Sequence, residues 1–243
     1  MKAFALKPRD HLDDPDRKRL FNERLFSVVA LRYDSITRRL SFGRDQAWKA
    51  AMIRALPDGN PALCVDVACG TGDLTRRLAA RHPSARVIGV DLTEAMIGLA
   101  RRGSSGGETY ETGDMGALRF DDETVDVLTG GYALRNAPDL AATLNEWRRV
   151  LRPGGTLALL DFSKPAHPWG ARLSLALLKF WGGLWGWALH RNPDVYGYIA
   201  DSLARYPDRP RLRATLMERG FDVTASNFCF AGFAEWILAR KAR

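Results

Sequence analysis

Apolar residues fall into short runs separated by glycine- and proline-rich breaks, and these runs alternate with stretches of helical spacing. Ala62–Val67 is short and rich in β-branched residues, the pattern of a buried strand. It breaks at Gly70 and Gly72, and Leu74–Arg81 follows as a helix. Arg86–Val90 predicts a second strand ending at Asp91, and Thr93–Arg102 an amphipathic helix. After the polar loop Gly103–Gly107, Thr109–Glu111 predicts a third, short strand. Thr124–Thr129 predicts a fourth, closing at Gly130-Gly131. Leu140–Leu151 reads as a helix stopped by Arg152-Pro153-Gly154-Gly155, and Thr156–Leu160 as a fifth strand ending in Asp161. Near the C-terminus the helix Arg211–Arg219 stops at Gly220. Phe221–Phe228 and Gly232–Leu238 then predict an antiparallel pair. This alternation gives an α/β fold: a doubly wound, mostly parallel seven-stranded sheet, Rossmann-like, with an antiparallel C-terminal strand. Ligands of such sheets gather at the carboxyl ends of the strands. Gly70, Asp91, Asp114, Gly131 and Asp161 all fall there.

Two segments stand outside this alternation. Asp13–Arg24 is densely charged, a solvated helix or a partly ordered arm, and Phe26–Leu40 and Gln46–Leu56 have helical spacing. The breaker Pro57-Asp58-Gly59-Asn60-Pro61 separates them from the first strand, so residues 13–56 predict a helical cap over the pocket. Residues 163–205 form an apolar insertion holding Leu173–Leu178 and Phe180-Trp181-Gly182-Gly183-Leu184-Trp185-Gly186-Trp187. It is short and Arg172 and Lys179 interrupt it, which argues against a transmembrane helix. Two readings stay open: a buried helix pair covering the pocket, or an interfacial segment with tryptophans at headgroup level. The whole, residues 1–243, reads as one domain with these additions.

Composition changes the picture only in places. A net charge of +8, mostly from arginine, favours an anionic surface such as membrane headgroups. The arginines are dispersed rather than striped, so nucleic acid is not the expected partner. Cys64, Cys69 and Cys229 lack any paired spacing, which fits a reduced cytoplasmic compartment. The four histidines have no ligand spacing, and no metal is expected. Met1–Asp10 lacks the apolar core of an export signal.

The first chemistry lies in Val65-Asp66-Val67-Ala68-Cys69-Gly70-Thr71-Gly72-Asp73. Gly70 and Gly72 allow a tight turn and a close approach of backbone to ligand. A dinucleotide site would put a third glycine where Thr75 stands, so that a pyrophosphate meets the helix N-terminus. Here Asp66 and Asp73 flank the turn instead; they repel a pyrophosphate and suit a cation with an amino group and a sulfonium, S-adenosylmethionine. Asp91, with Leu92 beside it, suits the two ribose hydroxyls. An acid four residues before Gly70 followed by Gly-Thr-Gly resembles the first motif of class I methyltransferases.

More telling are Tyr33-Asp34, Ser41-Phe42-Gly43 with Trp48-Lys49, Ala133-Leu134-Arg135-Asn136, Arg149–Gly155, Phe162-Ser163-Lys164-Pro165 and Tyr196-Gly197-Tyr198-Ile199-Ala200-Asp201-Ser202, in that order. Together they resemble the ubiquinone/menaquinone biosynthesis C-methyltransferases over roughly Leu25 to Phe221. The resemblance implies methyl transfer from S-adenosylmethionine to a ring carbon of a prenylated hydroquinone, a demethylmenaquinol or a demethylated ubiquinol precursor. It implies cofactor contacts at Thr71, Asp91, Asp114 with Met115, and Gly131, and it places Arg135 near the reacting ring. The chain departs from the family pattern at Asp45, Gly131, Ala133 and Asp161, as a divergent member. Another lipid-soluble or aromatic acceptor, or a non-catalytic scaffold in a quinone-synthesis complex, are the alternatives.

For such chemistry the candidate catalytic residues are Arg135, as phenolate stabiliser or water-orienting group, and Asp161 or Asp45 as base. Each has a plainer reading: Arg135 as a structural arginine paired to an acid, Asp45 as a helix cap. Tyr33 in the cap would close over the cofactor, while Asn136, Tyr196 and Tyr198 would line the ring pocket or belong to the core. A peripheral position on the inner face of the membrane and a homodimer are both compatible with the sequence.

Overall fold

The computed structural model describes residues 7–242; of the leader reading over Met1–Asp10, residues 1–6 lie outside the described residues. The cap begins with α1 (Pro15–Val29), whose start follows from the Asp14 side chain accepting from the Arg17 amide (2.9 Å) and from Pro15 in the first turn. A 3₁₀ turn at Ala30–Arg32 separates it from α2 (Tyr33–Leu40), and α3 is Asp45–Ala55. The densely charged stretch is thus the exposed side of a regular helix, with Phe21, Leu25 and Val29 buried on the other side.

The strands are β1 (Leu63–Val67), β2 (Arg86–Asp91), β3 (Thr109–Thr112), β4 (Val125–Gly131), β5 (Leu151–Phe162), β6 (Phe221–Cys229) and β7 (Ala234–Lys241). They form one sheet in the order β3-β2-β1-β4-β5-β7-β6. The first five are parallel, and β7 runs antiparallel between β5 and β6. The core helices are α4 (Asp73–Arg81), α5 (Glu94–Arg102), α6 (Leu140–Val150) and, after the insertion, α9 (Arg209–Glu218). Apolar clusters fill both faces of the sheet, one around Trp147, Leu128 and Phe221 and the other around Leu78, Val127 and Trp236.

Two strand starts differ by more than one residue from those expected. β5 begins at Leu151, because Leu151 already pairs with Val125 and the Arg-Pro-Gly-Gly turn is absorbed as an irregularity of the ladder. β7 begins at Ala234, because Phe230 and Ala231 take left-handed backbone angles and turn the chain before it can pair.

The insertion consists of α7 (Pro168–His190) and α8 (Asp194–Arg205), packed against each other. α8 is buried along most of its length, whereas α7 buries one face and exposes the other. No described helix is long and apolar enough to cross a membrane.

Candidate active site

At the ends of β1 and β4 the backbone bends hard. Ala68 and Tyr132 take left-handed angles (φ 49° and 58°), unusual for residues with a Cβ, as do Gly70 and Gly72 (56° and 81°). These bends open a cavity of roughly 640 Å³ at the carboxyl edge of the sheet. Tyr33, Gly70, Asp91, Leu92, Asp114, Met115 and Gly131 line it, and so does Asn136, which the sequence reading placed in the ring pocket. Asp91 is buried and held by the amides of Gly70 (2.8 Å) and Thr93 (2.9 Å); burial raises its pKa against those bonds. Its fixed carboxylate, Asp114 opposite, and the apolar faces of Leu92, Met96 and Met115 suit a ribose diol and a purine.

A smaller recess of roughly 330 Å³ continues behind the glycine turn, lined by Tyr33, Lys49, Asp66, Thr71, Asp73 and Gly131. Asp66 accepts from Thr75 Oγ1 (2.7 Å) and Thr129 Oγ1 (2.6 Å), and burial pushes its pKa up to about 6. Asp73 is also pushed up by burial, but Lys49 (2.8 Å), Gln46 and Arg77 outweigh that and hold it at about 2. Acids and a lysine side by side suit an amino acid's ammonium and carboxylate. Of the glycines, Gly72 stands off both cavities. A Cβ there would lie 2.4 Å from the Tyr110 hydroxyl, so Gly72 serves the turn and its packing rather than direct contact.

A third cavity, roughly 560 Å³, adjoins the first and shares Phe26, Tyr33, Tyr132 and Asn136 with it. Its walls are Leu25, Val29, Ile36 and Leu40 from the cap, Phe162 from β5, and Val195, Tyr196, Tyr198 and Ile199 from α8. Arg135 lines it, and no carboxylate, histidine or lysine does. Arg135 is buried, with its guanidinium over the rings of Phe162 (5.6 Å) and Tyr198 (5.5 Å) and donating to Ser202 Oγ. Burial works against its charge, yet Tyr198 and Asp161 hold its pKa above the usual arginine value.

The two carboxylates considered as bases sit elsewhere. Asp161 accepts from the Arg135 amide (3.0 Å), Arg135 Nε (3.3 Å) and the Phe162 amide (2.8 Å), and does not line the acceptor cavity. It pairs with Arg135 (3.3 Å), which is the plainer reading of that arginine as a partner to an acid. Asp45 is buried at the start of α3, bonded to Ser41 Oγ (3.1 Å), Gln46 (3.0 Å) and Lys49 (3.4 Å), and lines none of the three cavities. Arg44 holds the cap position of α3, so Asp45 is the helix's first residue rather than its cap.

Several lining residues escaped the sequence reading. Phe26 and Tyr132 border both large cavities, Arg19 pairs with Asp114 (2.7 Å), and Asn22 donates to the Asn136 carbonyl (2.7 Å). Arg19 and Asn22 lie in a segment whose charge density reads as solvent-facing. Nothing in the sequence marks their side of α1 as facing a cavity.

Solved structures share the fold. The methyltransferase in a Haloferax volcanii complex with its Trm112 activator superposes with a TM-score of 0.66 at 17% identity, over 90% of this chain and 98% of that one. A geranyl diphosphate methyltransferase solved with its substrate and sinefungin gives 0.59 at 14% identity, over 82% and 79%. Sheet order, the acid-flanked glycine turn and the acid ending β2 define a class I S-adenosylmethionine-dependent methyltransferase. Within that class, the model of the ubiE/COQ5 methyltransferase family matches residues 15–237, and the chain belongs to that family. A demethylmenaquinone methyltransferase from Thermus thermophilus is 36% identical over 82% of this chain and 92% of its own. One from Roseiflexus castenholzii is 33% identical over 88% and 90%. A ubiquinone/menaquinone biosynthesis C-methyltransferase UbiE from Geobacter sulfurreducens is 33% identical over 83% and 80%.

Proposed function

We propose that this enzyme methylates a ring carbon of a prenylated hydroquinone, a demethylmenaquinol or a demethylated ubiquinol precursor. The observation that carries this reading is the apolar cavity beside the cofactor cavity, with Arg135 as its one titratable charge. The relatives' names support the same class of acceptor.

S-adenosylmethionine supplies an electrophilic methyl on its sulfonium. Asp91 and Asp114 would hold its adenosine, with Gly70, Leu92, Met115 and Gly131 around them, while Thr71, Asp66 and Lys49 would face its amino-acid end. Tyr33 borders all three cavities and would close over the junction. On the acceptor side the ring stacks among Phe26, Phe162, Tyr196 and Tyr198. A hydroquinone carbon becomes nucleophilic as the neighbouring phenol, with a pKa of roughly 10, gives its proton to water. Arg135 lowers that pKa by stabilising the phenolate in a place from which other charge is excluded. Once the methyl is in place the ring carbon releases its own proton to water and the ring is aromatic again. Asp161 keeps the guanidinium in position, and Asn136 lines both cavities where ring and methyl meet. The walls position the carbon for in-line attack.

In this reading residues 13–56 are a cap and 163–205 an insertion on a single catalytic domain. The protein works in the cytoplasm, at the inner face of a membrane that holds the acceptor. The test is an assay of purified protein with isotopically labelled S-adenosylmethionine and each of the two reduced acceptors, the methyl being located by mass spectrometry. Transfer to a ring carbon of either supports the proposal and fixes the ring preference. Cofactor binding without transfer to either overturns it.

A further inference from the structure

Trp169, Leu173, Leu177, Phe180, Leu184 and Trp187 of α7 are all exposed, with Trp169 at 74%, Phe180 at 70% and Trp187 at 61%. They recur at spacings of four and three, so at about 100° per residue they share an arc of roughly 80°. At about 1.5 Å per residue the stripe is roughly 27 Å long. A continuous apolar face of this kind marks a contact surface.

The opposite face of α7 is fixed. A Cβ on Gly182 would lie 2.6 Å from the Tyr196 carbonyl oxygen, and one on Gly186 2.6 Å from that of Asn192. The helix therefore cannot roll its stripe inward without prising open its seam with α8. Beside the stripe Phe42 stacks on Trp181 (5.2 Å) and meets Phe230 (5.4 Å). Exposed arginines sit on these rings, Arg172 over Trp169 of the stripe and Arg44 over Phe230, while Arg39 lies over Trp185 at the inner side of the helix. Among the described residues Arg39, Arg44, Arg172 and Arg191 have no carboxylate partner, and α7 itself carries no Asp or Glu.

We infer that α7 docks the enzyme on an anionic bilayer, lying flat with its stripe among the acyl chains and these arginines on lipid phosphates. Charge selects this occupant over a second copy of the chain, because a self-contact across the stripe would bring arginine flanks together. The buried side of α7 places Trp185 and Leu189 in one apolar cluster with Ile36, Val195 and Tyr196 of the acceptor cavity. Bilayer and cavity are then about one helix diameter apart, roughly 10 Å. This route for the acceptor rests on the functional reading above, whereas docking is measurable without any acceptor.

The experiment is flotation of the full chain with phosphatidylglycerol–phosphatidylcholine vesicles and with phosphatidylcholine alone, for wild type and for Leu173→Glu/Phe180→Glu. Circular dichroism and cofactor affinity check the fold, and sedimentation velocity the oligomeric state. Wild type is expected to float with the anionic vesicles, and the double variant to lose at least tenfold in partitioning with fold and cofactor affinity unchanged. Turnover of a long-chain acceptor held in vesicles should fall in parallel, while a soluble short-chain acceptor is turned over as before. Absence of wild-type flotation, unchanged flotation of the variant, or a dimer dissociated by the variant without loss of flotation would each overturn docking through α7. Flotation that follows the stripe, with no turnover of any quinol, would support docking and overturn the acceptor assignment.

Discussion

At the residue scale the informative group is the Arg135–Asp161 pair. Both side chains are buried, so removing either strands a charge, at a cost of about 3–5 kcal/mol. Arg135→Lys keeps the charge and loses the fork; kcat should fall at least tenfold with cofactor affinity, by calorimetry, within about threefold. Asp161→Asn separates counter-ion from base. A counter-ion predicts a lowered melting temperature and a pH–rate profile that keeps its shape, whereas loss of the acidic limb would restore Asp161 as the base. Asp66 makes a pH prediction. Its folded pKa of about 6 lies above its unfolded value, so its contribution to stability is full below about pH 4 and is lost as pH rises through 6. In Asp66→Asn the melting temperature should fall less steeply between pH 4 and 7, and cofactor binding should weaken.

At the element scale the cap is tied to the glycine turn at two points. Thr71 Oγ1 donates to Asp34 of α2 (2.6 Å), and Lys49 of α3 reaches Asp73 of α4 (2.8 Å). Thr71, Lys49 and Asp73 line the recess behind the glycine turn, so these ties bear on exchange of a cofactor whose amino-acid end lies there. Asp34→Ala should raise the cofactor dissociation rate several-fold in stopped flow with little change in melting temperature. Asp73 has a lowered folded pKa of about 2, so the α3–α4 tie holds above about pH 4 and is lost as pH falls through 2. Proteolysis with an acid protease should therefore cut the cap faster as pH drops from 4 to 2. Asp73→Asn should cut at the fast rate throughout.

At the scale of the whole molecule, the proposed cofactor cavity is built at the strand ends and closed by Arg19, Asn22, Phe26 and Tyr33 of the cap, while the proposed acceptor cavity is walled mostly by the cap and α8. Variation in acceptor can then be accommodated largely in the added helices, which supply most of the wall. If the tail leaves the cavity towards α7, lengthening the prenyl chain beyond a few units should change kcat less than threefold, as steady-state assays in vesicles would measure.

Much of this was legible in the chain alone. Strand runs and breaks are local signals, so the parallel strands and the Gly70–Gly72 turn could be read directly, and acids at strand ends fall at the carboxyl edge by topology. Arg135, Tyr196 and Tyr198, singled out by the family motifs, line one cavity. Which acid meets which base is a matter of three-dimensional distance, and no spacing shows it. Asp161 lies 26 positions from Arg135 and binds it, and Arg19 reaches Asp114 across 95. The mixed polarity of α7 left buried and interfacial readings open. Only its glycine seam against α8, with the apolar stripe on the far side, decided which face meets the protein. Local pattern determines elements because backbone geometry repeats locally; partners and faces are settled by packing, which joins residues the sequence keeps apart.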